Sequence, residues 1–331
     1  MTPRISVIVL NYNGRVWLTP CLAALTAQTG APPFEVLLVD NGSTDGSMAL
    51  VAARFPSVRI VDNGRNLGFA AGNNAGARAA LGDTLAFLNN DTVPAADWLA
   101  RLHAAAVEAS DRTVIASRIV FLDRSDVVDS AGDGYLRAGG AFKHGYGADA
   151  VEFGTSREVF GACGAAFAIG RDLFHSLGGF DEDFFMVYED VDLSYRARLA
   201  GHRCWYAADA VVRHAGSGTL GTLSDAAVFY GQRNLEWTWL KNTPTGLLLK
   251  TFPAHVVYSL SGVAHYMARG RGASAVRGKF AALLALPRLL RKRRDVQRTR
   301  RVDSDSLDAH LERGWIALKR VEKGRSRNSG L

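Results

Sequence analysis

Four short apolar runs, Ile5 to Leu10, Glu35 to Val39, Val58 to Val61 and Thr84 to Leu88, each stop at a cluster of Asn, Asp and Gly. Stretches of helical character at Val16 to Gln28, Ser47 to Phe55 and Ala70 to Leu81 separate them. Strands alternating with helices predict an α/β fold with a parallel sheet. Such sheets bind ligands beyond the carboxyl ends of their strands, and here those ends read NYN, DNGSTDGS, DNGRN and NND. A polar crevice of nucleotide size is the expectation. From about 111 to 160 the chain is rich in Gly and Asp, which predicts an irregular sheet or mobile loops over that crevice.

Composition matters mainly through charge. With 48% hydrophobic and 21% charged residues in 331, the chain can build a large core in one or two domains. The net charge of +7 conceals two opposed parts: 19 basic and 26 acidic residues in 1–240, and 20 basic and 6 acidic in 241–331. A boundary near 240 therefore divides an acidic body from a basic, helical C-terminal region. A basic tail suggests a polyanionic partner, either nucleic acid or an anionic membrane. Cys21, Cys163 and Cys204 are odd in number, widely spaced and lack a CxxC pair. They indicate neither a disulfide framework nor a thiolate zinc site, and a reducing cytoplasmic compartment fits. Ile5 to Leu10 is too short for a leader's apolar region. The best candidate for a span, Gly246 to Met267, is broken by Lys250, Pro253, His255 and His265, so lying on a membrane is favoured over crossing it.

Several local patterns carry chemistry, each with a plainer alternative. In LLVDNGSTDGS, residues 37 to 47, Asp40 is placed to bond a base or ribose, or its carboxylate and the nearby hydroxyls simply cap the next helix. In Asn66 to Gly76 small residues allow a helix N-terminus to approach a phosphate or ribose. Asn89-Asn90-Asp91-Thr92 puts Asp91 at a strand tip, free for a hard divalent cation or serving as a cap. Phe184 to Ala200 sets Glu189, Asp190 and Asp192 before an amphipathic helix with Leu193, Ala197 and Leu199 on its inner side. One of these acids can act as a base, or all three serve the helix dipole. His214 follows a strand-like run, placed either to complete a metal site or to serve structure. Tyr230 to Asn234 opens an aromatic helix with Trp237 and Trp239, where the planar fork of Arg233 can grip a phosphate or pack on a Trp. The GxGxxG string at Gly216 to Gly221 lacks the following acid-ended strand and is read as chance. Gly272 to Lys279 misses a Walker A loop by one residue and by Phe280 where a hydroxyl belongs.

In order, VIVLNYNG, LLVDNGSTDGS, NLGFAAGNNAG, LNNDT, GGFDEDFFMVYEDVDLSYRARLAG, RHAGSGT and YGQRN resemble the family 2 glycosyltransferases over about residues 5 to 240. The resemblance implies a GT-A type nucleotide-diphosphate-sugar transferase fold, a mostly parallel central sheet flanked by helices, here with a C-terminal helical extension. It implies nucleotide-sugar contacts at Asn11, Asp40, Gly42, Asn66, Gly68, Asn90 and Arg233. Asn89-Asn90-Asp91 stands where relatives carry an Asp-x-Asp motif, with Asn89 replacing the first Asp; Asp91 and His214 are then the expected ligands of Mg²⁺ or Mn²⁺. Asp190 of the Glu189-Asp190 pair is implied as the general base of an inverting displacement. The Asn-Gly-Ser-Thr-Asp-Gly-Ser and Asn-Asn-Asp-Thr variants are most similar to the rhamnosyltransferase branch, so the donor expected is dTDP-rhamnose, with a UDP-sugar open. A lipid-linked or polysaccharide acceptor of the cell envelope follows from the same resemblance. The alternative is a module of the same fold that binds nucleotide sugar or glycan without chemistry.

For the tail, Arg288 to Arg301 holds eight Arg/Lys in fourteen positions, yet no aromatic interleaving or nucleic-acid motif accompanies them. The favoured partner is an anionic membrane, with Leu247 to Leu249, Val256-Val257 and FAALLALPRLL as the apolar face and the basic run against headgroups. That places the protein peripherally on the inner face of the cell membrane.

Overall fold

Strands buried on both faces need helices above and below, and the apolar runs obtain them. In this computed structural model, which describes residues 2–108, 114–216 and 224–329, β1 (Ile5–Asn11), β2 (Phe34–Asp40), β3 (Arg59–Asp62) and β4 (Thr84–Asn89) pair in parallel in the order β3-β2-β1-β4. The helices α1 (Arg15–Thr26), α2 (Ser47–Arg54) and α3 (Gly68–Ala79) connect them. Each expected strand and helix is present with ends shifted by one or two residues. One core layer packs Leu18, Leu22 and Leu25 of α1 under Val7 and Val9; the other packs Ala70 and Ala77 of α3 against Ile8 and Val39. Chain order reverses at β1, between β2 and β4, which is where the crevice of an α/β sheet opens.

The sheet then becomes mixed. After β5 (Thr92–Pro94) and α4 (Trp98–Glu108) come β6 (Val114–Phe121), β7 (Val128–Ser130), the hairpin strands β8 (Asp133–Tyr135) and β9 (Ala141–Lys143), β10 (Arg157–Val159), β11 (Ala166–Gly170), α5 (Arg171–Ser176), α6 (Glu189–Leu199) and β12 (Cys204–His214). Strand β11 inserts antiparallel between β4 and β6, and β12 runs parallel to β6. Two expectations change here. The 111–160 region is not merely irregular, because it contributes β6, whose Val114, Ile115, Ala116, Ile119 and Val120 are buried in the middle of the sheet. Helix α6 is not amphipathic: it is buried on every side, and Arg196 and Arg198 donate to the carbonyls of Leu177, Gly179, Phe160 and Val159 instead of reaching solvent.

The C-terminal part is helical, with α7 (Asp225–Asn242), α8 (Thr245–Met267), α9 (Gly272–Leu284), α10 (Leu286–Arg298), α11 (Ser304–Asp308) and α12 (Trp315–Ser329). No helix among the described residues is long and apolar enough to cross a membrane. The basic run divides between two tasks. Arg291 and Arg294 are exposed, whereas Arg288 and Lys292 pair with Asp181 and Asp183. Arg293 caps the end of α7, donating to Leu240 O at 2.5 Å and Thr243 O at 2.6 Å. The Gly216 to Gly221 string lies largely outside the described residues.

Candidate active site

A cavity of about 660 Å³ opens at the carboxyl ends of β1 and β4. Of the expected contacts, Asn66, Gly68, Asn90, Asp91, Glu189, Asp190 and His214 line it; Asn11, Asp40, Gly42 and Arg233 do not. The four exceptions have physical reasons. Asp40 accepts hydrogen bonds from its own turn, from Gly42 N at 3.1 Å, Ser43 N at 2.8 Å and Ser43 Oγ at 2.6 Å. It therefore caps the turn, and its neighbour Asn41 faces the cavity instead, donating to Gly68 O at 3.0 Å. Asn11 is fully buried; its Nδ2 donates to Asp40 at 3.1 Å and its Oδ1 accepts from Asn90 Nδ2 at 2.8 Å, so it ties two strand-end loops together. Gly42, at φ 75°, allows the close approach of loop 64–65, where a Cβ would lie 2.8 Å from Arg65 Cα.

Arg233 packs rather than grips. Its guanidinium lies 4.2 Å from the Trp237 ring centre and 4.7 Å from that of Tyr230, and Nη2 donates to Asp183 O and Phe184 O. The N-terminus of α3 is occupied likewise: Phe69 N and Ala70 N donate to Phe185 O, at 2.6 and 3.2 Å. Gly68 makes that approach feasible, since a Cβ there would meet the same oxygen at 2.6 Å.

The segment before the paired acids is held in an uncommon backbone. Phe185, Val187 and Tyr188 all have positive φ, at 64°, 66° and 76°. Asn234, buried completely, restrains it by donating Nδ2 to Phe184 O at 3.0 Å, Met186 O at 2.8 Å and Val187 O at 2.7 Å. The strained loop delivers Glu189 and Asp190 to the cavity at the start of α6. Asp190 accepts from Gly164 N at 2.6 Å and Val191 N at 2.7 Å. Burial nevertheless raises its pKa. Burial, then the Asp190 charge, pushes Glu189 well above the carboxylate range. Burial would raise Asp192 too, but Lys241 and Arg196 outweigh it and hold that carboxyl low; Asp192 is a structural ion-pair partner.

Across the cavity, His214 ends β12 and pairs with Thr92 of β5, bringing its Nε2 within 3.3 Å of Asp91 Oδ1. Its Nδ1 lies 2.7 Å from Asp129 Oδ2, and Lys143, also on the cavity wall, neutralises Asp129 at 2.7 Å. Burial opposes the imidazolium, but hydrogen bonds with Asp129 and Asp91 carry the His214 pKa up to about 9. A second cluster, Asp133, Cys163 and Asp190, has its ligand atoms within 4.8 Å of one another. There burial, with the Asp190 charge, raises Asp133 to about 8, and burial pushes the Cys163 thiol up. Tyr12, Asn41, Lys143 and Tyr230 complete the wall and were not singled out by the sequence reading. Tyr12, Asn41 and Tyr230 had a signal, since all three sit inside motifs; Lys143 owes its place to the hairpin.

The sequence model of glycosyl transferase family 2 matches residues 6–178, from the first strand through β11 and α5. This chain belongs to glycosyl transferase family 2. The family 2 chain is 31% identical over 238 residues to the N-acetylglucosaminyl-diphospho-decaprenol L-rhamnosyltransferase of Mycobacterium tuberculosis, covering 65% of this chain and 76% of that one. Its fold is similar to that of the mannosyltransferase PcManGT from Pyrobaculum calidifontis, solved with GDP-Man and Mn²⁺, at a TM-score of 0.54 and 22% identity over 90% of this chain and 85% of that one. It is also similar to GalNAc-T7, solved with UDP, GalNAc and Mn²⁺, at a TM-score of 0.54 and 17% identity over 81% and 58% of the two chains. The fold is thus the GT-A type, and this family 2 chain is a glycosyltransferase similar to the rhamnosyltransferases.

Proposed function

We propose that the enzyme transfers a sugar, with inversion, from a nucleoside diphosphate to a hydroxyl of a lipid-linked glycan acceptor in cell-envelope synthesis. The observation that carries this is the pairing across one cavity of a half-buried, backbone-oriented carboxylate, Asp190, with the Asp91–His214 pair. Asp190 takes the acceptor's proton as the hydroxyl oxygen bonds the anomeric carbon and the diphosphate leaves with the electron pair of the broken C–O bond. Displacement from the opposite face inverts the centre without a covalent enzyme intermediate.

Asp91 and His214 fit a divalent cation: one carboxylate oxygen and one imidazole nitrogen converge, while Asp129 orients the ring through its other nitrogen. The mixed donor set suits Mn²⁺ better than Mg²⁺. When bound, the cation neutralises charge developing on the diphosphate. Both solved neighbours were obtained with Mn²⁺ and a nucleotide or nucleotide sugar, which supports this reading. The donor proposed is dTDP-rhamnose, from the likeness to the mycobacterial rhamnosyltransferase, with a UDP-sugar as the alternative. Asn41, Asn66 and Tyr12 are the side chains placed to meet the nucleotide.

Thermal shift with dTDP- and UDP-sugars tests the donor. A selective rise in Tm for dTDP-rhamnose, larger with Mn²⁺, is expected; no shift with any nucleotide sugar would refute the reading. Metal binding tests the ligands. The proton on His214 must leave before Nε2 can coordinate, so below about pH 9 each unit of acidification should weaken Mn²⁺ binding by up to about tenfold. A pH-independent affinity, measured by calorimetry, would remove His214 from the site.

In this scheme 1–240 supplies the chemistry, and 241–331 brings the enzyme to an anionic membrane that carries the acceptor.

A further inference from the structure

Helices α8 and α9 are turned inside out. On α8 the side facing the protein buries Thr251 and His255, with His255 Nε2 2.7 Å from Glu236 and Ser259 Oγ donating to the same carboxylate at 2.7 Å. The opposite side exposes Leu249, Phe252, Val256, Leu260 and Met267, spaced by three, four or seven residues along one face. Helix α9 repeats the pattern. Its inward residues are small, Ser274, Ala275, Gly278 and Ala282, and Gly278 lies so close to α7 that a Cβ would stand 2.5 Å from Phe229 O. Its large residues Val276, Phe280 and Leu283 point outward. Small residues inward and large apolar residues outward is how helices pack when their outer surface meets lipid.

Charge selects the occupant. From Trp237 to Arg294 the chain contains no Asp or Glu; Lys250 pairs with Asp308 at 3.5 Å, and Arg269 and Arg277 are exposed on the turn between the helices and on α9. A second copy placed symmetrically on this face would bring those cations against one another, whereas anionic headgroups complement them.

We infer that the α8–α9 face is an interfacial membrane-binding surface that inserts its apolar side chains into an anionic leaflet. This rests on the membrane-borne acceptor proposed above and alters how the tail engages. Insertion by α8 and α9 does the anchoring, while three of the eight cations in the basic run, Arg288, Lys292 and Arg293, are engaged by Asp183, Asp181 and the end of α7. Helix α7 packs against α9 and contributes Ala226 and Tyr230 to the cavity wall. The anchoring layer is therefore linked to the active site through α7.

The test uses the full chain and vesicles of phosphatidylcholine with or without phosphatidylglycerol. Leu260→Glu with Leu283→Glu replaces residues that are 64% and 67% exposed, so melting temperature and the nucleotide-sugar thermal shift should not change. Partition onto mixed vesicles should fall by about tenfold or more, and Arg291→Ser with Arg294→Ser should cost less. Partition of the Leu variant equal to wild type, or a larger loss from the Arg pair, would overturn insertion. So would a wild-type dimer that ignores vesicles and that the Leu variant dissociates. The donor thermal shift reads the active site separately, so failure of the anchor and failure of the transferase reading cannot be confused.

Discussion

Replacing Asp190 by Asn is expected to lower transfer by about a thousandfold, the scale of a lost general base, while leaving donor binding intact. The amide is nearly isosteric, and its oxygen can still accept the hydrogen bond that Gly164 N gives Asp190. What is lost is proton acceptance and the bond that Val191 N gives the other oxygen. Glu189→Gln should cost less than about tenfold, because burial and the adjacent charge already hold Glu189 protonated, and a neutral amide reproduces that state. The pair of variants separates the two acids that share the start of α6. The pH profile supplies a second check. A base works deprotonated, so kcat/KM should rise with pH through a pKa above the usual carboxylate range, and the limb should vanish in Asp190→Asn. A variant retaining wild-type turnover would remove Asp190 as the base, whereas a wild type that binds nucleotide sugar without transferring it would favour a non-catalytic binding module.

The second large effect is expected far from the reacting atoms. Asn234→Ala removes the donor that serves three carbonyls of the 184–187 loop. Phe184 O keeps Arg233 Nη2 as a donor, but Met186 O and Val187 O lose theirs; buried carbonyls so stripped cost about 2 kcal/mol or more, which for a chain of this length is about 3 °C in Tm. The loop also loses what holds Phe185, Val187 and Tyr188 at positive φ. It should relax and carry Asp190 away, lowering kcat by about a hundredfold, with a smaller change in donor affinity. Asn234→Asp is the informative companion: it fills the same space but presents oxygens to oxygens, so it should be at least as damaging as the truncation. If Asn234→Asp melts and turns over like wild type, the loop is held by packing and not by these bonds.

Much of the parallel half of the fold was legible because its signals are local. Apolar runs, each closed by Asn, Asp or Gly, mark β1 to β4 within a residue or two, although the edge strand β3 is mostly exposed. Strand β6 carries the same composition but follows no turn signal and pairs with β11 and β12, far away in the chain, so nothing local announces it. Helix α6 misleads for another reason. Its arginines suggest a wet face, but they are spent on buried carbonyls. The site shows the same division. Asp91, Glu189, Asp190 and His214 sit where motif reasoning put them on the cavity wall. In DNGS the acid capped the turn and the adjacent amide took the cavity, a choice fixed by which way the last strand residue points. Arg233 and Asn234 were visible as a pair, but their work on a loop of odd backbone is tertiary.

The pairing of His214 with Thr92 has a consequence for assembly. Asp91 and His214 are remote in the chain, and the closing of β5 against β12 brings them to one point. A contact of such long sequence separation forms slowly. Metal affinity should therefore emerge only when that seam has zipped, making a bound paramagnetic ion a clock for the last step of refolding and a gauge of the fraction of molecules that have reached it.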